Sequence, residues 1–193
     1  MMRTFFILHG TDGSPQENWF PWLKQKLEDK GNNVIVPQFP NQQNDSLEAR
    51  LKKLNKFRKY INKNTILIGH SRGGLFLLRI LEKLNQPVFA AFFVSGSVGI
   101  KPYAFYESGF KFAHGYDFDW EKIKSISQHF FVYHSNNDPY TSIDNGKMIA
   151  NKLGVKLTFI PDAGHFNSRS GYTKFDKILS DIQGIYYEKT HLD

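Results

Sequence analysis

The segment Gly69-His70-Ser71-Arg72-Gly73 sets a serine between two glycines, directly after the apolar run Ile66–Ile68. A hydroxyl on a turn this tight leaves no room for side chains two residues before and two after it, which favours glycine at both places. Between a strand and a helix, G-x-S-x-G presents its serine as a nucleophile, and the helix start aims N–H groups and a positive dipole end at the site. A Gly-rich turn without chemistry is the alternative, and the spacing alone does not choose. A second small-residue serine segment, Ser95-Gly96-Ser97-Val98-Gly99, also follows an apolar run. Pro102 comes soon after it and argues against an immediate helix, so this segment reads as a loop that can line a pocket without holding the nucleophile.

A serine hydroxyl needs a general base, and the base needs a carboxylate that fixes its tautomer. Of seven histidines, His165 in PDAGHFN sits after the last predicted strand and before the last helix, where an imidazole can swing to Ser71. His9 and His134 end strands at the same edge and stand as alternatives. His70 should point elsewhere, and His129 precedes a strand, at the wrong end. Asp138 in SNNDPY follows the fifth strand and is the candidate acid; Asp162, three residues from His165, is the runner-up. Asp-Pro is also ordinary turn chemistry. An oxyanion would be met by the backbone N–H of Arg72 and by that of Thr11, in the loop HGTDGSPQENW after the first strand.

For these groups to meet, each must lie just after a strand at one edge of a parallel sheet. Candidate strands are Thr4–Leu8, Asn33–Val36, Thr65–Ile68, Phe89–Val94, Phe130–His134 and Lys156–Ile160, several of them apolar throughout, as strands buried on both faces are. Helical patterns lie between them. Pro21 starts one that Gly31 follows, and Asp45 with Glu48 resembles a capping box opening a helix to about Tyr60. Leu75–Leu84 is a buried helix, Gly154 closes one from about Thr141 with Gly146 awkwardly inside it, and Thr173–Gln183 is ended by Gly184. The expected fold class is α/β, a three-layer α/β/α sandwich in one domain, residues 1–193, around a doubly wound, mostly parallel six-stranded sheet.

Composition narrows the function classes. Hydrophobic residues make up 40% of the 193-residue chain, which is globular, and there is no cysteine, which excludes disulfides, thiolate zinc sites and a thiol nucleophile. No signal peptide or membrane span is readable, so a soluble cytoplasmic protein is expected. The formal charge of +7 raises the question of a nucleic-acid partner. The densest basic stretch, KKLNKFRK (residues 52–59), keeps Leu51, Leu54, Phe57 and Ile61 at helical spacing and puts Lys52, Lys53, Lys56 and Lys59 outside, which describes a solvated helix face. The expected partner is a small-molecule substrate, with no nucleic acid, no membrane, no metal and no cofactor; oligomeric state is open.

The order Ser71, Asp138, His165 is that of the α/β-hydrolases. With the loop and aromatic helix HGTDGSPQENWFPWLKQKLE, the elbow IGHSRGG, FDWEKIK at Phe118–Lys124, SNNDPY and AGHF, the chain resembles the compact serine hydrolases of the retinoblastoma-binding-protein-9-like family over nearly its whole length. The resemblance implies Ser71 as nucleophile, Asp138 as acid and His165 as base. It also implies a minimal, lidless α/β-hydrolase fold with six parallel strands and no cofactor, and serine-hydrolase activity of esterase or aminopeptidase type. A catalytically silent binding protein on the same fold is the alternative. The L-x-C-x-E motif associated with retinoblastoma binding has no counterpart in a chain without cysteine. The aromatic segment KPYAFYESGFKFAHGYDFDW and the group Trp19, Phe20 and Trp22 are each readable as a substrate wall or as packing.

Overall fold

β-Branched and aromatic residues crowd the short apolar runs, and in the computed structural model, which describes residues 2–187, these runs become strands. They are β1 (Thr4–Leu8), β2 (Asn33–Ile35), β3 (Thr65–His70), β4 (Val88–Val94), β5 (Ser127–His134) and β6 (Leu157–Phe159). All pair in parallel in the order β2-β1-β3-β4-β5-β6. The chain runs outward one way from β1 to β2 and the other way from β3, so the order reverses between β1 and β3. Crevices form at such a reversal, at the carboxyl ends of the strands.

The helices are α1 (Phe20–Glu28), α2 (Leu47–Asn55), α3 (Arg72–Lys83), α4 (Tyr106–Ala113), α5 (Trp120–Ser125), α6 (Ile143–Leu153) and α7 (Asp176–Tyr187). Successive strand residues point to opposite faces. Phe5 and Ile7 of β1 pack with Phe20 and Leu23 of α1 and Ile178 and Ile182 of α7, whereas Phe6 and Leu8 pack with α2, α3, α5 and α6. This is a three-layer α/β/α sandwich on an all-parallel sheet, a minimal α/β-hydrolase fold.

Four expectations are corrected. Asp45 is not a helix cap: Ser46 caps α2, its Oγ accepting the Ala49 N–H, while Asp45 is drawn into a buried pair with Arg50. The helix itself stops at Asn55, with a 3-10 turn at Arg58–Tyr60. Gly184 lies inside α7, not at its end, because Ile185 still reaches the core one turn beyond Ile182. Gly146 is well placed inside α6, since a Cβ there would sit 2.7 Å from the His134 Cβ. Among the described residues, no helix is long and apolar enough to cross a membrane.

Candidate active site

The segment after β3 makes a sharp elbow. Ser71 has φ 56° and ψ −123°, a conformation costly for any residue with a side chain. Backbone bonds hold it: Ser71 N–H donates to Val94 O (2.9 Å), and Ser71 O accepts from the N–H groups of Gly74 (2.9 Å) and Leu75 (3.4 Å). The flanking glycines are steric requirements: a Cβ at Gly73 would lie 1.9 Å from Leu8 O, and one at Gly69 would lie 2.5 Å from Gly73 O. Helix α3 starts at Arg72, so the Arg72 N–H belongs to its first turn. The Arg72 guanidinium turns aside, donating to Ser108 Oγ (2.7 Å) and lying over the Phe112 ring. Gly10, after β1, abuts the nucleophile: a Cβ there would be 3.3 Å from Ser71 Oγ.

Across the cleft, His165 Nδ1 donates to Asp138 Oδ2 at 2.8 Å, leaving Nε2 as the basic nitrogen. Burial alone would raise the Asp138 pKa. The His165 hydrogen bond and charge outweigh it, with the N–H groups of Tyr140 and Thr141 on Oδ1, and hold the carboxyl below its usual value. Side chains of one loop bond the backbone of the other. Asn137 Oδ1 accepts from Gly164 N–H (2.7 Å), Ser135 Oγ accepts from Ala163 N–H (3.1 Å), and Asn136 bonds both N–H and carboxylate of Asp162. Asp162 therefore fastens the loop and is not the carboxylate on His165.

Three other histidines are structural. His70 Nε2 donates to His165 O at 2.8 Å, and burial first, then the nearby His165, push its pKa down to about 3. His9, lowered to about 4 chiefly by burial, accepts the Phe39 N–H on Nε2. His134 bonds Thr141 Oγ1 and accepts the Ser135 N–H on Nδ1, and burial lowers its pKa too. The expectation that His70 points elsewhere is corrected: its ring lies 4.9 Å from the His165 ring and the residue lines the same cleft, where it supports the His165 backbone, a pairing that nothing in one sequence reveals for residues 95 positions apart.

Ser71 and His165 line one cleft of about 450 Å³ with Gly10, Thr11, Phe105 and Tyr140, and Asp12, Glu17 and Arg169 put charged groups in its lining. A second space of about 550 Å³ lies at the far end of α3, near Lys83, and is lined by no serine or histidine. The segment 102–120 mostly covers the sheet, with Phe112, Ala113 and Phe118 in the core; Phe105 alone of it reaches the cleft. Trp19 and Phe20 are also core, and Trp19 Nε1 donates to Phe166 O, bracing the histidine loop. Ser95 lies in a loop after β4, as expected of the second serine segment, but it is fully buried and none of residues 95–99 lines the cleft. No cluster of three or more His, Asp or Glu side chains among the described residues is disposed to hold a metal ion.

An elbow serine lining one cleft with a carboxylate-bound histidine, on a parallel sheet at its reversal point, marks the chain as an α/β-hydrolase-fold enzyme. It belongs to the Serine hydrolase family, which it matches over residues 5–183. It is 29% identical over 191 residues to YdeN of Bacillus subtilis (strain 168), a protein named as a hydrolase, with 98% of each chain covered. It is 26% identical to the serine hydrolase RBBP9 of Rattus norvegicus, with 86% of each covered. The crystal structure of the B. subtilis ydeN product superposes with a TM-score of 0.87 at 28% identity, covering 97% of this chain and all of that one. Polyneuridine aldehyde esterase, at a TM-score of 0.66 and 15% identity, covering 96% of this chain and all of that one, shares the fold. The chain is thus a compact serine hydrolase of the type represented by these relatives.

Proposed function

We propose that the chain is a carboxylesterase-like serine hydrolase that cleaves small ester, thioester or amide substrates through an acyl-enzyme. Ser71 is the nucleophile, His165 the base and Asp138 the acid. His165 Nε2 takes the Ser71 proton as Oγ attacks the carbonyl carbon, and Asp138 stabilises the imidazolium. The N–H groups of Thr11 and Arg72 receive the oxyanion. Collapse expels the leaving group, which takes the proton from His165. Water, deprotonated by His165, then attacks the acyl-enzyme, and Ser71 recovers its proton.

The observation that carries this reading is the 2.8 Å bond from His165 Nδ1 to Asp138 in a cleft shared with a strained elbow serine. The cleft volume suits a small molecule. Exposed Lys52, Lys56 and Lys59 are a solvated surface in this reading, and the cysteine-free composition fits the cytoplasm. A fluorophosphonate probe tests it: wild type is expected to label at Ser71, and Ser71→Ala is expected not to. Labelling that persists in Ser71→Ala overturns the assignment of the nucleophile.

A further inference from the structure

Arg50 is completely buried, and its guanidinium is spent on backbone carbonyls of the loop that follows β1. Nη1 donates to His9 O (2.8 Å) and Nη2 to Gly10 O (3.0 Å), while Nε and Nη2 grip the two oxygens of Asp45 at 2.6 and 2.8 Å. The guanidinium lies over the Phe39 ring, and neither Arg50 nor Asp45 borders the cleft. Burying a charged pair is costly and rarely justified by stability alone, since apolar residues of similar volume often serve as well.

The geometry of the Gly10–Thr11 peptide shows what the pair acts on. Gly10 O receives a second donor, His9 Nδ1 at 3.0 Å, so both of its lone pairs are engaged. His9 stays in the neutral Nδ1–H form because Nε2 accepts the Phe39 N–H and burial disfavours its charged form. In a trans peptide the N–H points opposite to the C=O. With the carbonyl turned to Arg50 and His9, the Thr11 N–H is turned the other way. Gly10 sits against Ser71, and Thr11 lines the same cleft. A carbonyl bonded to a cation also polarises its peptide, which makes the attached N–H a stronger donor.

We propose that Arg50, held by Asp45, is a positioning residue for the oxyanion hole: it pins the Gly10 carbonyl so that the Thr11 N–H faces the developing charge on the substrate. The proposal rests on the hydrolase reading above, with Ser71 as nucleophile. Arg suits the task because its planar fork binds the carboxylate and two carbonyls at once, which an ammonium group cannot do.

Saturation kinetics of fluorophosphonate labelling test it, since that reaction also places a developing oxyanion beside Ser71 and needs no known substrate. Removing an oxyanion donor outright costs about 10²–10³-fold in rate; a donor left present but unpinned should cost about 10–10²-fold. In folded Arg50→Met, kinact is expected to fall by that smaller factor with KI within about twofold, and Arg50→Lys is expected to fall between the two. A merely structural role would instead reduce the fraction of molecules labelled and leave the rate of the remainder unchanged. That result, or a wild-type kinact in Arg50→Met, overturns the proposal. If Arg50→Met does not fold, Asp45→Asn carries the test; because Asp45 Oδ2 also lies 3.8 Å from Arg72 Nη1, it is measured beside Arg72→Met. There kinact is expected to drop about three- to tenfold in Asp45→Asn and by less in Arg72→Met, whereas an unchanged kinact in Asp45→Asn, or an equal drop in Arg72→Met, overturns the proposal. Wild type that does not label, or Ser71→Ala that does, defeats the hydrolase reading. Wild-type labelling lost in Ser71→Ala but unaltered at Arg50 and Asp45 defeats only the anchor.

Discussion

Ser71 and His165 face one cleft, yet the first is held by backbone sterics and the second by a web of side-chain hydrogen bonds. On the serine side, glycines at 69 and 73 let two chain segments approach closer than any Cβ allows, and backbone bonds hold Ser71 at φ 56°. On the histidine side, Ser135, Asn136 and Asn137 reach across to residues 162–164, His70 and Trp19 hold the carbonyls of His165 and Phe166, and Asp138 orients the ring. Steric walls are all-or-none, whereas a hydrogen-bond web loses strength bond by bond. Damage to the elbow should therefore show in stability, and damage to the web should show first in catalysis.

The largest expected effect is on the histidine side. His165→Ala should lower kcat by about 10⁴–10⁶-fold on an ester such as p-nitrophenyl acetate, with the thermal transition little changed. A loss under tenfold would move the base to another histidine. Asp138→Asn comes next, at about 10³–10⁴-fold, because an amide can donate to Nδ1 and force the wrong tautomer. Steady-state kinetics and a melting curve on the same samples check both.

On the serine side, Gly73→Ala should cost more than about 3 kcal/mol of stability, because the new methyl would overlap the Leu8 carbonyl. Urea unfolding measures it; a near-wild-type midpoint with lost activity would erase the contrast between the two sides. Asn137→Ala should be milder, at about 1–2 kcal/mol of stability with roughly a tenfold loss of kcat, as the Gly164 N–H loses its acceptor.

The most gradual effect is a pH dependence. His9 and His70 are held at about 4 and about 3 when folded, below the unfolded value of about 6.5, so the unfolded chain binds more protons in between. Stability is then full above pH 6.5 and lost as pH falls towards 4, by up to about 1.4 kcal/mol per pH unit for each histidine. Urea midpoints across pH 4–7 test this, and His70→Phe should make the slope shallower by about one proton.

The serine side was the readable one. A G-x-S-x-G segment between an apolar run and a helix is a local pattern, and the sterics that demand it act within a few residues. Asp138 and His165 were readable as positions after strands, and the order of the chain paired them. Their fastening was not readable, because Asn136, Asn137 and Asp162 look like ordinary turn residues until the loops meet. Asp45 was misread for the same reason: a capping pattern is local, and nothing along the chain marks Arg50 as the buried partner that claimed it.

The sequence by itself determined the strand and helix alternation, the layers and the place of the elbow serine, because side-chain periodicity and backbone crowding are properties of neighbours along the chain. Only the tertiary structure decided which histidines are structural, which carboxylate meets His165, and that Arg50 and His9 grip the Gly10 carbonyl. Those choices depend on burial and on hydrogen bonds between residues tens of positions apart, and both exist only once the sheet has brought its strand ends together.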